Sequence, residues 1–376
     1  MAKPTTSPTL AGRRELRRYS RHLLIPEIGL AGQERLSRAR VLCVGAGGLG
    51  SPVLQYLSAA GVGRIGVMDD DVVDETNLQR QTIFTMADIG KNKAQVAAER
   101  VRALNPQIAI DPIGMRLGEG NARELIRLYD VVIDCTDRFS TRYLINDACV
   151  LEKKPDIYAS IYRFDGQVSV FDAAVGPCYR CLFPQPPPEG SVPSCAEGGV
   201  LGVLAGIVGT LQANEALKVL LGIGEPLVGR LLLVDALGAR TREVSIERDR
   251  ACALCGTDPV IHEAREQKSE PRMDAVSEVD AGQLDEALRS AILLDVREPH
   301  EAALGAFPGA VHIPASQLEA RMHELDSAKR YVVACRIGQN SLWAIRRLQD
   351  AGFGRITHLA GGLLAYAARD AEFVCF

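Results

Sequence analysis

Apolar positions along this chain change period several times, and each change marks an element. Val41 to Val44 is a short β-branched run that stops at a cluster of glycines, which predicts a strand and a tight turn. From about Leu49 to Ala60 the apolar residues recur at helical spacing, and Arg64 to Met68 returns to a strand centred on Ile-Gly-Val-Met. Strand, helix and strand in that order predict a βαβ unit. Polar helical segments precede it, over Leu16 to Leu24 and Glu34 to Ala39. Asp130 to Asp137 reads as a further strand. Gly198 to Asn214 is uncharged but too short and too Gly-rich for a membrane span. A buried helix with small residues at its contacts is the expectation there, and no membrane partner.

Farther along, the pattern breaks twice. Cys178 to Cys195 holds prolines and a glycine that no regular element accommodates, so it reads as a long loop. His262 to Arg272 is charged, with almost no large apolar side chain, and reads as a linker. Beyond it, AILLDVRE, AVHIPA, RYVVACR and RITHLAG are short strands separated by helical segments. The expected division is a domain over 12–260, a linker over 261–272 and a small α/β domain over 273–376.

Composition narrows the function classes. At 376 residues, two or three domains are expected at roughly 150 residues each. Hydrophobic residues make up 47%, enough for sizeable cores. Lys plus Arg is 43 against 47 for Asp plus Glu, a formal charge of −4 that gives no case for nucleic acid as a partner. The first twenty residues are basic without an apolar stretch, so no secretory signal is expected and the cytoplasm is the expected compartment. Ten cysteines are then more in keeping with metal binding or sulfur chemistry than with disulfides.

Gly45, Gly47 and Gly50, with Gly48 between them, form G-x-G-x-x-G between a strand and a helix. Such glycines let backbone N–H groups approach phosphates at a helix N-terminus. Asp69 ends the second strand, where a ribose-binding carboxylate sits in such folds. An NAD-dependent oxidoreductase with a fused redox domain satisfies these features alone. The residues that follow do not suit it: a row of acids from Asp69 to Asp71, then Asn77, Arg80, Gln81, Lys93 and Asp137. Arg80 and Lys93 would neutralise phosphate oxygens, and Asp137 would hold magnesium against them.

The run R-Y-S-R-H-L-L, the loop GAGGLGS, D-x-D with N-L-Q-R-Q, a Lys and then C-T-D resemble, in this order, the MoeB/ThiF family. The resemblance covers about Arg17 to Thr257. Members are ubiquitin-activating-like enzymes that adenylate the C-terminal glycine of small sulfur-carrier proteins. The resemblance implies a Rossmann-like, ATP-binding α/β domain with a mixed sheet. It implies that Asp69 binds ribose, that Asn77, Arg80 and Lys93 contact the phosphates, and that Asp137 binds magnesium. Arg21 would act as an arginine finger on a partner subunit, which implies a homodimer. Arg138 departs from the family, where Asn is frequent after the C-T-D aspartate.

The cysteines sort by spacing. Cys178 with Cys181, and Cys252 with Cys255, are two C-x-x-C pairs. Four thiolates close a tetrahedral, structural zinc site; a redox disulfide or unrelated buried thiols are the other readings. Cys195 follows the proline loop and either accepts an acyl or sulfur group or is a spectator. Cys43, Cys135 and Cys149 lie in apolar runs and read as core thiols. Cys335 stands between strand YVVA and a helix, in C-R-I-G-Q-N-S. Backbone N–H groups and the helix N-terminus there stabilise a thiolate or persulfide anion. LLDVREPHE, FPGAVHIP, this loop and HLAGGLLAY resemble a rhodanese domain over about Met273 to Phe376. In that scheme Asp295 and Arg297 brace the fold. A phosphatase loop would need arginine six residues after the cysteine, where this chain has Ser341.

Together the two resemblances imply a bifunctional enzyme. Its first domain activates a ubiquitin-like carrier ending in Gly-Gly with ATP, and Cys335 then passes on sulfur to give a thiocarboxylate. A cysteine desulfurase or thiosulfate is the expected donor. A non-catalytic scaffold would be expected to have lost these residues. The pathway stays open among molybdopterin, thiamin, cysteine, tRNA thiolation and specialised metabolites.

Overall fold

A computed structural model of the chain describes residues 13–187, 199–266, 276–370, 373 and 375. They form two compact units. The larger takes in the described chain up to Pro186 and from Gly199 to Glu266; the smaller takes in Pro187 and the described chain from Val276.

Eight strands make the sheet of the larger unit. They are β1 (Arg40–Val44), β2 (Arg64–Met68), β3 (Ala109–Ile113), β4 (Val131–Asp134), β5 (Asp156–Tyr162), β6 (Asp165–Phe171), β7 (Arg230–Asp235) and β8 (Arg240–Ser245). Their order in space is β3-β2-β1-β4-β5-β6-β7-β8. Strands β3 to β5 pair in parallel and β5 to β8 pair antiparallel, so the sheet is mixed. β1 and β4 run as continuous apolar segments because helices cover both faces of a parallel sheet. β8 is exposed throughout and carries Arg240, Arg242 and Glu243, charges that discourage pairing at the sheet edge. Chain order reverses between β1 and β4, and a crevice opens at the carboxyl ends of strands at such a switch point.

Two expectations are refined. The strand expected over Asp130 to Asp137 ends at Asp134. The Asp134 carboxylate accepts from Thr136 N–H at 2.9 Å and Thr136 Oγ–H at 2.6 Å, which turns the chain and leaves Asp137 on a loop. The helix expected over Gly198 to Asn214 spans Gly202–Leu221. Among the described residues it is the one helix long and apolar enough to cross a membrane by length and composition. Here its Leu204, Val208 and Ala216 are buried in the core with Val53 and Leu57, each large side chain contributing about 1.5–3 kcal/mol. At Gly209 a Cβ would lie 2.5 Å from the Leu49 carbonyl oxygen and 2.6 Å from Pro52 Cγ, so only glycine lets this helix cross the one at Gly50–Ala60. The charged stretch after Ile261 begins packed: Ala264 is buried beside Leu117, and Arg116 pairs with Glu266 at 3.6 Å.

The smaller unit is a five-stranded parallel sheet of β9 (Ser277–Val279), β10 (Ile292–Asp295), β11 (Val311–His312), β12 (Tyr331–Ala334) and β13 (Ile356–Leu359). The order is β11-β10-β12-β13-β9. Four of these strands coincide with the short apolar runs; β9 is a polar edge strand without such a signal. Arg297 is 1% exposed and grips Asp295 with bonds of 2.7–3.0 Å, and it also donates to the Gly305 carbonyl at 2.8 Å. Its remaining nitrogen reaches Cys375 Sγ at 3.8 Å, which ties the chain end to the sheet.

Candidate functional site

The crevice between β1 and β4 is built by backbone approach. Gly50 opens the helix Gly50–Ala60, and a Cβ there would sit 2.1 Å from the Gly45 carbonyl oxygen. Glycine alone lets the helix start this close to the strand end, with its first N–H groups facing the crevice. Asp69 follows β2. Its carboxylate accepts from Ala46 N–H at 2.8 Å, inside the glycine turn, and from Asp71 N–H at 3.0 Å. Burial pushes the Asp69 pKa up, while these two N–H groups and Lys93 pull the other way.

Lys93 opens the helix Lys93–Leu104, which Asn92 caps through Gln95 N–H at 3.1 Å. The Lys93 ammonium lies 3.1 Å from Asp71 Oδ2. Asn92 Nδ2 reaches the Asp69 and Asp71 carbonyls, each at 3.3 Å, and so holds the acidic turn against the lysine. Arg80 and Gln81 cover the glycine turn: a Cβ on Gly48 would lie 3.5 Å from Arg80 Cγ, and one on Gly47 would lie 3.3 Å from Gln81 Nε2. The Arg80 guanidinium donates to the Thr76 carbonyl at 3.0 Å, and Asn77 is half-buried in the same turn. Gln81 Oε1 is buried beside this turn without a hydrogen-bond partner among the described residues.

One chain therefore gathers Gly45, Gly47, Gly48, Gly50, Asp69, Asn77, Arg80 and Lys93. Asp137 is exposed on the loop after β4, at the same end of the sheet as the glycine turn. Arg21 is exposed on the short helix Ser20–Leu23.

The two C-x-x-C pairs meet. All four sulfurs of Cys178, Cys181, Cys252 and Cys255 lie within 4.8 Å of one another. The contacts are 3.9 Å for Cys178–Cys181, 3.7 Å for Cys178–Cys252 and 3.4 Å for Cys181–Cys255. Four sulfurs about 2.3 Å from a central zinc would stand about 3.8 Å apart, so the donor set fits that ion. Hydrogen bonding from Cys178 pulls the Cys181 thiol below its ordinary range, which favours a thiolate within the cluster. Arg180, between the first two cysteines, grips Asp147 with two bonds of 2.7 Å and anchors the cluster to the helix Phe139–Glu152. The nine described cysteines are free thiols. Cys195 lies outside the described residues.

Cys335 follows β12 and precedes the helix Gln339–Asp350. The residue is 2% exposed. Gly338 N–H donates to Sγ at 3.1 Å, and Ser341 Oγ lies 3.5 Å from it. Arg336 is paired with Glu301 at 3.7 Å. An anion on this sulfur meets a backbone donor and a helix N-terminus, the environment expected from the loop.

Comparison with known proteins finds a family match in each unit. Residues 19–255 match the ThiF family, and residues 278–369 match the rhodanese-like domain.

The chain belongs to the ThiF family.

It is 44% identical to "Probable adenylyltransferase/sulfurtransferase MoeZ" of Mycobacterium tuberculosis, over 97% of this chain and 96% of that protein. It is 56% identical to the sulfur carrier protein adenylyltransferase of Thermus thermophilus, over 66% of this chain and 94% of that protein. Among solved structures, Escherichia coli MccB with MccA-N7isoASN aligns with a TM-score of 0.58 at 23% identity, over 64% of this chain and 75% of that one; this likeness concerns the fold. A ThiF domain joined to a rhodanese domain is an adenylyltransferase with a sulfurtransferase, and it fits neither the NAD-dependent oxidoreductase nor the non-catalytic scaffold.

Sequence reasoning passed over some of the residues that shape this ThiF-family chain. Gln212 is fully buried and donates to the Asp134 carbonyl at 2.8 Å and the Ile157 carbonyl at 2.9 Å, joining β4 to β5 below the crevice. Its signal was an amide inside an apolar helix, two residues before Asn214. His358 stands behind the Cys335 loop, and only the string HLAGG marked it.

Proposed function

We propose that this chain adenylates the C-terminal glycine of a ubiquitin-like sulfur carrier with ATP and then delivers sulfur to it from a persulfide on Cys335. The observation that carries this reading is the pairing, in one chain, of a glycine crevice flanked by Arg80 and Lys93 with a thiol that accepts a backbone N–H.

In the first step the carrier carboxylate attacks the α-phosphorus and pyrophosphate leaves. No protein nucleophile is needed, so positioning and charge neutralisation suffice. Asp69 would receive the ribose hydroxyls, and Asn77, Arg80 and Lys93 the phosphate oxygens. Asp137 would hold magnesium, which supplies further neutralisation of the phosphates when bound. Arg21 would reach the phosphates of a second copy in a homodimer. In the second step Cys335 takes sulfane sulfur from a donor; with thiosulfate, sulfite leaves. The persulfide then displaces AMP from the acyl-adenylate, and a thiol reduces the resulting acyl disulfide to the thiocarboxylate. Cys195 is a candidate for that thiol. Zinc on Cys178, Cys181, Cys252 and Cys255 would be structural, since four protein ligands leave no open position. The boundaries 12–260, 261–272 and 273–376 are proposed for these parts.

ATP–pyrophosphate exchange with purified Gly-Gly carriers, at saturating magnesium, tests the first step; no exchange with any carrier would end the proposal. Cys335→Ala tests the second. Exchange should persist while thiocarboxylate formation is lost, and undiminished sulfur transfer would remove Cys335 from its role.

A further inference from the structure

Behind the Cys335 loop stands a buried imidazole that the mechanism above does not use. His358, on β13, is 3% exposed. Its Nε2 lies 2.9 Å from the Gly338 carbonyl oxygen, and its Nδ1 lies 3.2 Å from Glu278 Oε1. Glu278 is on β9, directly opposite His358 in the strand register. Both oxygens are acceptors when Glu278 is ionised. An imidazole nitrogen that carries a proton donates to the oxygen it faces. With a proton on Nε2 the ring donates to the Gly338 carbonyl, and Glu278 orients the ring from its other side.

The carbonyl that His358 holds belongs to the residue that serves the sulfur. Gly338 donates its N–H to Cys335 Sγ at 3.1 Å and accepts at its carbonyl from His358 and, at 3.0 Å, from Ser341 Oγ–H. Its φ of +97° is a backbone setting that glycine tolerates and that must be held from outside if the N–H is to stay on the sulfur. A Cβ on Gly338 would lie 3.3 Å from His358 Nε2, so the ring also packs on the loop.

We propose that His358, oriented by Glu278, is a positioning residue for sulfur transfer. It clamps the Gly338 carbonyl and thereby keeps the Gly338 N–H aimed at the anionic sulfur of Cys335 in both the thiolate and the persulfide. The proposal rests on the reading of Cys335 as the sulfur-carrying nucleophile.

The test uses the full-length chain, thiosulfate as donor and cyanide as acceptor, with sulfite and thiocyanate as products. His358→Ala should lower kcat about tenfold, the effect of one lost buried hydrogen bond to the reacting loop, with KM for thiosulfate held within about twofold. Alkylation of Cys335 by iodoacetamide should slow in parallel. His358→Gln, whose amide still donates to the carbonyl, should recover part of kcat, and Glu278→Gln should fall between Ala and the parent chain. ATP–pyrophosphate exchange, read on the same samples, should not change. If His358→Ala melts early, the Gln variants at both positions carry the comparison. Parent-like kcat and alkylation in every variant would overturn the clamp, as would a loss confined to KM. Cys335→Ala is run beside them: if it retains transfer, the nucleophile reading fails whatever the His358 variants do.

Discussion

Lys93→Met separates the chemistry of the crevice from its stability. The Lys93 side chain is 7% exposed and its ammonium lies 3.1 Å from Asp71 Oδ2, whereas Asp71 is 56% exposed. Methionine keeps the buried stem and removes the charge. The carboxylate left behind faces water, so the lost pair is worth what exposed pairs are worth, about 0–1 kcal/mol. That corresponds to a fall in melting temperature of no more than about 4 °C for a domain of this size. Toward substrate the account differs. A unit charge about 4 Å from a phosphate oxygen, at an effective dielectric constant of about 20, is worth about 4 kcal/mol. Between half and all of that interaction in the transition state is a factor of about 30 to 1,000 in kcat/KM for ATP. The assay is ATP–pyrophosphate exchange driven by a Gly-Gly carrier, beside a thermal melt. Exchange within about threefold of the parent chain, at an unchanged melting temperature, would refute the phosphate assignment. Loss of exchange together with a collapsed melt would instead make Lys93 a structural residue.

Three further outcomes follow from the same geometry. Gly50→Ala puts a Cβ 2.1 Å from the Gly45 carbonyl oxygen, so the turn must move; a loss of about 1–3 kcal/mol and a raised KM for ATP are expected, and unchanged melting and exchange would contradict the close approach. Cys252→Ser removes one of the four thiolates. The parent chain should carry one zinc by elemental analysis and the variant should lose it along with thermal stability; a metal-free parent chain of equal stability would contradict a structural zinc. Glu152 is held down at about 2, against an ordinary 4.5, first by its hydrogen bonds from Arg127 and then by Arg123. A depressed carboxylate stabilises the fold above the ordinary value and loses that contribution as pH falls toward the folded one. Acid unfolding followed between pH 4.5 and 2 should therefore be less steep in Glu152→Gln, and equal slopes would contradict the assignment.

What was legible in the sequence shares a physical property: it is local. The glycine turn, the paired cysteines and the Cys335 loop each place their chemistry within a few residues, so spacing alone shows it. β1, β2, β10 and β12 were legible because strands buried on two faces become continuous apolar runs. β8 is exposed along its length and β9 is short and polar, so neither has an apolar period to read. The overrun of β4 has a specific cause. Asp134 closes a turn with Thr136, a choice made by one side chain inside a run that still looks like a strand. Gln212 and His358 escaped for a different reason. Both act on backbone carbonyls far away in sequence, and no motif records which carbonyl a side chain will meet in the fold.

The same view explains how, on the proposed route, a chain rich in thiols would direct sulfur through one of them. Reactivity belongs to the thiolate and depends on what surrounds it. Cys135 lies 3.8 Å from Cys43, close enough to suggest a redox pair, but burial first and the neighbouring thiol second push its pKa well up and keep it protonated. Burial does the same to Cys149. The four clustered sulfurs are committed to one another, with contacts of 3.4–3.9 Å, a geometry that a tetrahedral metal would close. Cys335 is placed differently. It stands as a single sulfur at a helix N-terminus, with a backbone N–H at 3.1 Å and a hydroxyl at 3.5 Å. Such donors face the sulfur without bonding to it covalently, which would let it gain a second sulfur and give it up again in the proposed transfer. On the proposed route the rhodanese loop thus supplies what the core thiols and the four-cysteine cluster each withhold, so the transfer would not be misdirected among them.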